Sequence, residues 1–322
     1  MATGANNQIL FDANAAGAAL TTHSRLAAVL TAEIGFLLAD RASLYGHPAI
    51  PLMADITGSG SDTARVRLAG LDGYDTMETQ SGAQAEINSI NPESFDDAHV
   101  DIAVSRAMLS YEVSDLANMT QFGSADVDPY RLAASSVGSF LTYFTELVCT
   151  SMASFSSSVG SATRDMDVSD FYDALFQLEL SNVDGPYLCI LHPRQLADFQ
   201  SSLRSEPNAL SMSADTQNAL GIKGQGAAGS FMGVEIFKSS KVTAGGGAKK
   251  GAMFGHGALG YAVGVPQKLV GAPEVLRPAG VPLAIEFDRE ARKSMSRIIS
   301  SAYCGVAILQ DSMGVLLATD ES

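Results

Sequence analysis

One long helix is the feature that most constrains how this chain can fold. Asp128 is a favourable residue for capping the start of a helix, and Pro129 suits its first turn. From there, large apolar side chains recur every three or four residues, which is the spacing of one helix face. The sequence therefore predicts a helix from Asp128 to about Phe155. Its apolar face consists of Val137, Leu141, Phe144, Val148, Met152 and Phe155.

The opposite face of this predicted helix is small and neutral. Glu146 is almost its only charge, whereas a helix face that meets water usually carries many charged side chains. Either the helix lies inside a globular enzyme, or one face packs in its own subunit and a neighbouring subunit covers the other. This segment alone leaves both interpretations open. The neutral positions are Ser135, Ser136, Ser139, Thr142, Thr145 and Thr150.

The low charge content favours a protein that is covered by copies of itself. Charged residues are 17% of the 322 positions, against roughly 25% in soluble domains. Membrane insertion is the usual alternative explanation, but the most apolar early run, Leu26–Ala39, contains Glu33. No uninterrupted apolar run reaches the length of about 18 residues that a spanning helix needs. We therefore expect no membrane partner.

The net charge of −15 argues against tight nucleic-acid binding, which needs a cationic face. It does suit a surface that lies beside packed nucleic acid without adhering to it. All the lysines lie in the last third of the chain, beginning at Lys223. Cys149, Cys189 and Cys304 are far apart and lie in apolar contexts, which predicts buried thiols in a reducing compartment.

The first half of the chain reads as an arm, a helix and a ribbon of strands. Residues Met1 to about Thr22 are rich in Ala, Asn and Gly, and Ser24–Leu44 has a helical pattern. Thr63–Leu71 alternates between apolar residues and Arg65 or Arg67, and Val100–Val113 is again extended. This pair predicts a two-stranded excursion with little core of its own, which should lie on another surface.

The second half mixes helices and strands without regular alternation, which predicts the α+β class. The expected helices are Val168–Leu180, capped by Asp167 or Ser169, and Arg194–Leu203. We expect a flexible loop over Ala244–Gly251, with Lys249 and Lys250 in it. The expected strands are Tyr187–Leu191, Phe231–Phe237, Met253–Val265, Lys268–Leu276, Arg297–Leu309 and Val315–Ala318.

No motif predicts an enzyme. Gly224–Gly229 matches the dinucleotide fingerprint G-x-G-x-x-G, but a strand rather than a helix is expected after it, so the context is inverted. The histidines have no partner at metal-ligand spacing, and there is no G-x-S-x-G nucleophile elbow. We predict no catalytic residue, no cofactor site and no metal site.

Three segments of the last two thirds resemble a known family, the major capsid protein of tailed bacteriophages (Caudoviricetes) with the HK97-type fold. Pro186–Pro193 followed by a helix looks like the family's strand that ends before a proline. Gly229–Ser240 is similar to its "G-x-x-V-x-x-S" strand, with Ile236 in place of the valine. Tyr303–Ala318 looks like its closing strand pair around an Asp-centred turn. The order of arm, ribbon and long helix upstream also matches.

The resemblance implies an HK97-like α+β subunit with five parts. These are an N-terminal arm and helix (1–48), an E-loop (49–113), a P-domain with the long spine helix (114–165), an A-domain (166–275), and return strands that complete the P- and A-domains (276–322). The family's crosslink from an E-loop lysine cannot form here, because no lysine precedes Lys223. Since the arm begins at Met1, the resemblance also leads us to expect a separate scaffolding protein.

In function, the resemblance implies a structural virion protein made in the cytoplasm of a host bacterium. It would self-assemble into the hexamers and pentamers of an icosahedral head around phage double-stranded DNA, without sequence-specific DNA binding. A portal at one vertex, and a decoration or cement protein, would be further partners. The alternative is the shell protein of an encapsulin-type bacterial nanocompartment, which uses the same fold around an enzyme cargo. An enzyme that binds nucleotide through Gly224–Gly229 ranks third.

Arginines of the ribbon are the candidate assembly residues. Arg65 and Arg67 lie on one face of the predicted strand, and a guanidinium group binds a carboxylate directionally. We therefore predict contacts between these arginines and acidic residues of an adjacent subunit, the candidates being Asp165, Asp167 and Asp170. The alternative is a solvated arginine row with little energetic consequence.

Overall fold

The computed structural model describes residues 44–67, 99–114, 129–183, 185–205, 227–245, 248–265, 275–276 and 282–320. The predicted arm, nearly all of the helix Ser24–Leu44, and the first half of the glycine motif lie outside these ranges. The helices are α1 (Pro129–Met152), α2 (Val168–Leu180) and α3 (Pro193–Ser205). The strands are β1 (Leu52–Asp55), β2 (Thr63–Arg67), β3 (His99–Ala103), β4 (Ser105–Ser114), β5 (Ser158–Gly160), β6 (Tyr187–Leu191), β7 (Ala227–Phe231), β8 (Val234–Lys238), β9 (Ala244–Gly245), β10 (Ala248–Phe254), β11 (Leu259–Val263), β12 (Val275–Leu276), β13 (Leu283–Glu290), β14 (Met295–Ile308) and β15 (Gly314–Asp320).

The long helix predicted from the sequence is confirmed as α1. Val137, Phe144, Val148 and Met152 are fully buried, as the spacing predicts. The helix ends at Met152 and a short turn follows, but Phe155 remains in the same core. Fully burying side chains of this size stabilises a fold by about 1.5–3 kcal/mol each, so α1 is fixed mainly by its packing.

A six-stranded sheet covers one side of α1. Its strand order is β1–β11–β14–β13–β12, with β4 also paired to β14. Its residues Leu259, Tyr261, Ile298 and Ala302 belong to the core that contains the apolar face of α1. The ring of Tyr45, just before β1, closes this core because its centroid lies 5.1 Å from that of Phe140 and 5.5 Å from that of Tyr261.

The structure of the ribbon differs in part from the predicted two-stranded excursion. Strands β2 and β3 pair antiparallel, and the apolar alternation on Thr63–Arg67 is confirmed. The chain then leaves the ribbon at Val104, because β4 pairs with β14 along its full length, from Ser105 to Ser114. The predicted single strand Val100–Val113 is therefore two strands in two sheets. The remaining ribbon packs Ala64, Val66 and Ile102 against Ala262 and Leu309 of its own subunit.

A seven-stranded sheet, ordered β5–β15–β10–β6–β8–β7 with β9 on β10, forms the other half of the structure. Its two faces belong to different cores. Leu188, Ile190 and Phe254 share the core of α1, whereas Cys189 and Met253 point to the opposite face, which α2 and α3 cover. Alternate residues of β6 and β10 thus bind the sheet to helices on both sides.

Gln195 of α3 is a fully buried polar side chain whose amide nitrogen and oxygen both have hydrogen-bond partners within the protein. Its amide nitrogen has two hydrogens to donate and lies within hydrogen-bond distance of three acceptors, Leu317 O at 3.0 Å, Thr319 Oγ1 at 2.9 Å and Lys249 O at 3.2 Å. Its oxygen accepts from His192 N at 3.0 Å. These bonds hold the start of α3 on strands β10 and β15, because a buried amide left unpaired would be costly.

Two predictions for the second half were wrong in detail. The predicted strand Phe231–Phe237 is a hairpin, because Met232 and Gly233 adopt positive φ angles of 53° and 80° and turn the chain. The predicted flexible loop Ala244–Gly251 contains paired strands, and Lys249 and Lys250 lie in β10 rather than in a loop. The sequence analysis also missed the strands β5 and β13 and the break between β10 and β11.

The three cysteines are buried free thiols, as predicted. Burial raises the pKa of Cys149 and of Cys304 to about 12. Burial also raises the pKa of Cys189 strongly. A thiol with a raised pKa forms little of the reactive thiolate, so these cysteines act as apolar core residues.

We predict that Gly305→Ala destabilises the protein, because Gly305 of β14 lies directly under the junction between β3 and β4. A Cβ atom there would lie 2.0 Å from the backbone oxygen of Ala103. Urea unfolding should show a loss of about 1–3 kcal/mol in the free energy of unfolding. Gly185→Ala is the matched control, since its nearest contact would be an ordinary 3.9 Å. Equal stability of both variants would contradict this role.

Candidate assembly surface

Arg65 already has a carboxylate partner within its own subunit. It lies directly opposite Asp101 on the paired strands β2 and β3. Its Nε and Nη2 atoms donate to Oδ1 and Oδ2 of Asp101 at 3.0 and 3.2 Å. The hydrogen bond from Arg65 lowers the pKa of Asp101. Both side chains are exposed, so the pair adds little stability. Its main effect is to hold the guanidinium group on the ribbon surface.

Asp167 and Asp170 cap the start of α2. Asp167 accepts a hydrogen bond from the backbone of Val168 at 2.6 Å and from the hydroxyl of Ser202. The Ser202 hydroxyl, and then the Val168 amide, lower the pKa of Asp167. Asp170 is buried, accepts from Asp167 N at 3.0 Å and forms an ion pair with Arg164. Asp167 rather than Ser169 is thus the helix cap, in a reciprocal capping box.

The predicted contacts between Arg65 or Arg67 and the three aspartates of a neighbour stay a prediction. The structure of the single subunit nevertheless shows which of the three aspartates is accessible to a neighbour. Asp170 is almost inaccessible and Asp167 is engaged by α2, whereas Asp165 is exposed. Asp165 also contributes, after burial, to the raised pKa of Asp198. A carboxylate that lies near a second acid is stabilised when a cation approaches it.

Part of the neutral face of α1 is covered by its own subunit. Ser136 is buried and its hydroxyl lies 2.8 Å from that of Ser300 on β14. The hydroxyl of Tyr143 lies 2.7 Å from that of Ser105 at the start of β4. These bonds explain why hydroxyl side chains occupy a helix face that meets a strand.

Ser139, Thr142 and Thr150 of the neutral face are exposed, and the two threonines form hydrogen bonds within α1. The hydroxyls of Thr142 and Thr150 donate to the carbonyl oxygens of Gly138 and Glu146, four residues earlier, at 2.8 Å each. Such threonines present methyl groups outward while their hydroxyl groups are already satisfied. A neighbour could therefore cover this face at little desolvation cost.

Three of the exposed large apolar side chains in the described part of the chain lie on α2, and the sequence analysis missed them. Tyr172, Phe176 and Leu180 recur every four residues and are 43%, 63% and 71% exposed. We call these three residues the α2 stripe. The buried face of α2 carries Phe171 and Leu178. A helix that is apolar on both sides is normally covered on both sides, and this pattern was the available signal.

The described ranges contain no arrangement that predicts chemistry at a bound ligand. No group of three His, Cys, Asp or Glu side chains in them could hold a metal ion. A cleft of about 530 Å³ at the base of the ribbon includes Arg106 and Tyr303. The Arg106 guanidinium, however, is engaged: it lies 5.7 Å from the Tyr303 ring centroid and donates to Ser301 Oγ at 3.0 Å. Strand β7 begins inside the glycine motif, where a nucleotide site needs a helix.

No helix in the described part of the chain is long and apolar enough to cross a membrane.

Comparison with solved structures finds the same fold in phage proteins and in an encapsulin. The chain is similar to a protein of Mycobacterium phage Che8, with a TM-score of 0.59, 14% identity, and coverage of 86% of this chain and 91% of that one. It is also similar to the capsid of Ralstonia phage GP4, with a TM-score of 0.58, 12% identity, and coverage of 88% and 92%. The third structure is the holo-SrpI encapsulin complex of Synechococcus elongatus, with a TM-score of 0.54, 14% identity, and coverage of 84% and 86%.

These likenesses establish the fold. No protein-family model matches the chain, and no curated protein matches its sequence. The resemblance to phage capsid proteins stated from the sequence is confirmed at the level of the fold. The α+β class is confirmed with it.

We predict that Asp167→Ala destabilises the protein by about 1 kcal/mol at neutral pH, through loss of the α2 cap. Because the folded protein lowers the pKa of Asp167, its stabilisation is present above the ordinary carboxyl pKa near 4 and is lost as the pH falls through the lower folded value. Urea unfolding should therefore show a difference from wild type that shrinks below about pH 4.

The control for this prediction is Asp173→Ala, which removes an exposed acid from the same helix without touching the cap. We expect its stability to stay within about 0.5 kcal/mol of wild type. If both variants lost the same stability, the capping contribution of Asp167 would be disproved.

Proposed function

We propose that this chain is a major capsid protein that self-assembles into the hexamers and pentamers of an icosahedral phage head. The observation that carries the proposal is the likeness to capsid chains along nearly the whole length of both proteins. The low charge content and the exposed α2 stripe support it, since both suit a surface that other copies cover. The role is structural rather than enzymatic.

The proposed parts of the subunit follow the sheets. We assign α1 as the spine helix and the seven-stranded sheet with α2 and α3 as the core of the A-domain. The six-stranded sheet, with β4 in it, forms the P-domain. Because β4 pairs along β14, the E-loop in this proposal ends at Val104 rather than at residue 113. The described base of the E-loop lies on its own subunit, and its outer part would extend toward a neighbour.

The charge distribution fits a container for nucleic acid that does not bind its contents tightly. A net charge of −15 disfavours adhesion to phosphate groups, so packaged double-stranded DNA would be held by the closed shell. Assembly in a bacterial cytoplasm is consistent with three buried free thiols, because reduced cysteines are usual there. A portal, a separate scaffolding protein and a cement protein are the further partners that this function requires or allows.

A bacterial nanocompartment shell is the second candidate. The observation that favours it is the similarity to the encapsulin complex from Synechococcus elongatus. The two candidates make the same prediction for the subunit and differ in the contents of the particle. A phage head encloses DNA, whereas a nanocompartment encloses protein cargo.

The proposal predicts that the purified protein forms closed particles, or the capsomers from which they are built. Size-exclusion chromatography should place it far above the 33.6 kDa of one chain, and negative-stain electron microscopy should show shells or rings. Particles isolated from the natural source and treated with nuclease should retain DNA. A protein that remained monomeric even when co-produced with its scaffolding protein would contradict the proposal, and particles filled with a protein cargo would favour the nanocompartment.

The ribbon arginines give a second prediction. We propose that Arg65 and Arg67 contact Asp165 of a neighbouring subunit, so Arg65→Ala with Arg67→Ala should make assembled particles dissociate at a lower temperature. Light scattering during heating measures this. The control Asp101→Asn removes the partner of Arg65 within its own subunit and keeps both arginines. Particles of the arginine variant that resist heat like wild type would disprove the contact.

A further inference from the structure

The outward face of α2 combines apolar and acidic side chains, with no basic residue anywhere in the helix. Asp173 and Glu179 are exposed beside the α2 stripe. Glu179 lies in the last turn, where the helix already carries the negative end of its dipole and where an acidic residue is unfavourable. A surface of this kind is complementary to an apolar patch flanked by cations.

A hairpin turn extends this surface. The ring of Tyr172 lies 6.2 Å from that of Phe231, centroid to centroid. The next residue, Met232, forms the turn between β7 and β8 and is 58% exposed. The hydroxyl of Tyr187 donates to Val183 O at 2.6 Å, which holds the end of α2 at the start of β6. The last turn of α2, with Leu180, therefore lies at the same end of the seven-stranded sheet as the hairpin turn, whereas the start of α2 lies near the end of β15, because Asp320 N donates to Arg164 O at 2.9 Å.

The opposite end of the same sheet carries lysines. Strands β6 and β8 are parallel and β8 ends at Lys238, so Lys238 lies one strand length, about 17 Å, from the hairpin turn. Strand β10 is antiparallel to β6 and begins with Lys249 and Lys250, which places them at the lysine end as well. Within the described residues, Lys238 and Lys250 have no carboxylate partner. We call Lys238, Lys249 and Lys250 the lysine end.

We propose that the α2 stripe of one copy docks against the lysine end of the next copy of this chain. This inference rests on the proposed function, and it specifies which surface of the next copy contacts the α2 stripe. In this contact, Asp173 and Glu179 beside the α2 stripe meet lysines of the next copy, and the apolar side chains of the stripe are removed from water. Because the two surfaces are different parts of the chain, the contact is head-to-tail and can close into a ring.

A symmetric contact between two α2 helices is the competing arrangement. It would place Asp173 and Glu179 beside the same acidic residues of the other copy. Like charges at an interface are repelled, so this arrangement is disfavoured. The lysine end, which supplies the opposite charge, is the better partner.

Charge reversal tests the contact. The first variant carries Asp173→Lys and Glu179→Lys, the second carries Lys238→Glu and Lys250→Glu, and the third carries all four changes. We expect the concentration at half-assembly, measured by mass photometry and size-exclusion chromatography, to rise at least about tenfold in the first two variants. The third variant restores opposite charges across the contact and should return to within about threefold of wild type.

The apolar α2 stripe is tested separately by Phe176→Ser with Leu180→Ser. This variant should raise the concentration at half-assembly at least about tenfold. The control for the charge reversals is Asp62→Lys with Asp288→Lys. It makes the same change in net charge as the first variant, at exposed residues in the turn before β2 and in β13 respectively. It should assemble like wild type. All variants replace side chains outside the cores, so thermal unfolding should show them folded.

The outcomes separate this inference from the proposed function. If wild type assembles and the first two variants assemble equally well, the docking contact is disproved while the proposed function stands. If the third variant, with all four changes, assembles as poorly as the first two, the pairing of these two surfaces is disproved. The same holds if the control variant assembles equally poorly. A wild-type protein that never assembles would overturn both.

Discussion

Both large sheets of this subunit bury one face against the same helix. Phe144 of α1 meets Tyr261 of the six-stranded sheet at 5.2 Å between ring centroids, and Leu188 and Phe254 of the seven-stranded sheet belong to the same core. Since the two sheets share this packing, they are held as one rigid plate. The Lys241 Nζ to Glu146 Oε2 ion pair, at 3.1 Å, adds a surface link between α1 and the connection after β8. Loss of the apolar face of α1 would separate the halves of the fold.

The plate leaves two kinds of surface uncovered, and both suit assembly. The outer threonines of α1 satisfy their own hydroxyl groups, so another subunit can cover them cheaply. The α2 stripe is apolar and is costly to leave in water. Buried polar groups such as Gln195 and Asp170, by contrast, are satisfied within the chain, and among the described residues Thr243 Oγ1 and Gln310 Oε1 are the buried side-chain atoms without a hydrogen-bond partner. The described part of one subunit therefore satisfies most of its interior polar groups but leaves apolar surface in water, which suits the proposed shell protein.

Sequence patterns predicted the elements that have strong local periodicity. Helix α1, helix α2 with its cap at Asp167, and strand β6 were placed correctly because apolar spacing and capping chemistry are local signals. The strand β13 and the separation of β4 from the ribbon were missed, since both depend on pairing with the distant β14. The burial of Asp170 and the exposure of the α2 stripe also depend on tertiary packing. A residue's type shows that it needs a partner, but not which surface supplies that partner.

In the proposed function, copies of this rigid plate cover one another to make a closed shell. A cryo-electron microscopy reconstruction of assembled particles tests it most directly, because it shows what lies against each face of the subunit. We expect rings of five and six subunits, with α1 within the shell wall and with Phe176 and Leu180 buried against the next copy. A reconstruction in which these residues face solvent on a closed shell would contradict the docking contact. An assembly without such rings would contradict the shell itself.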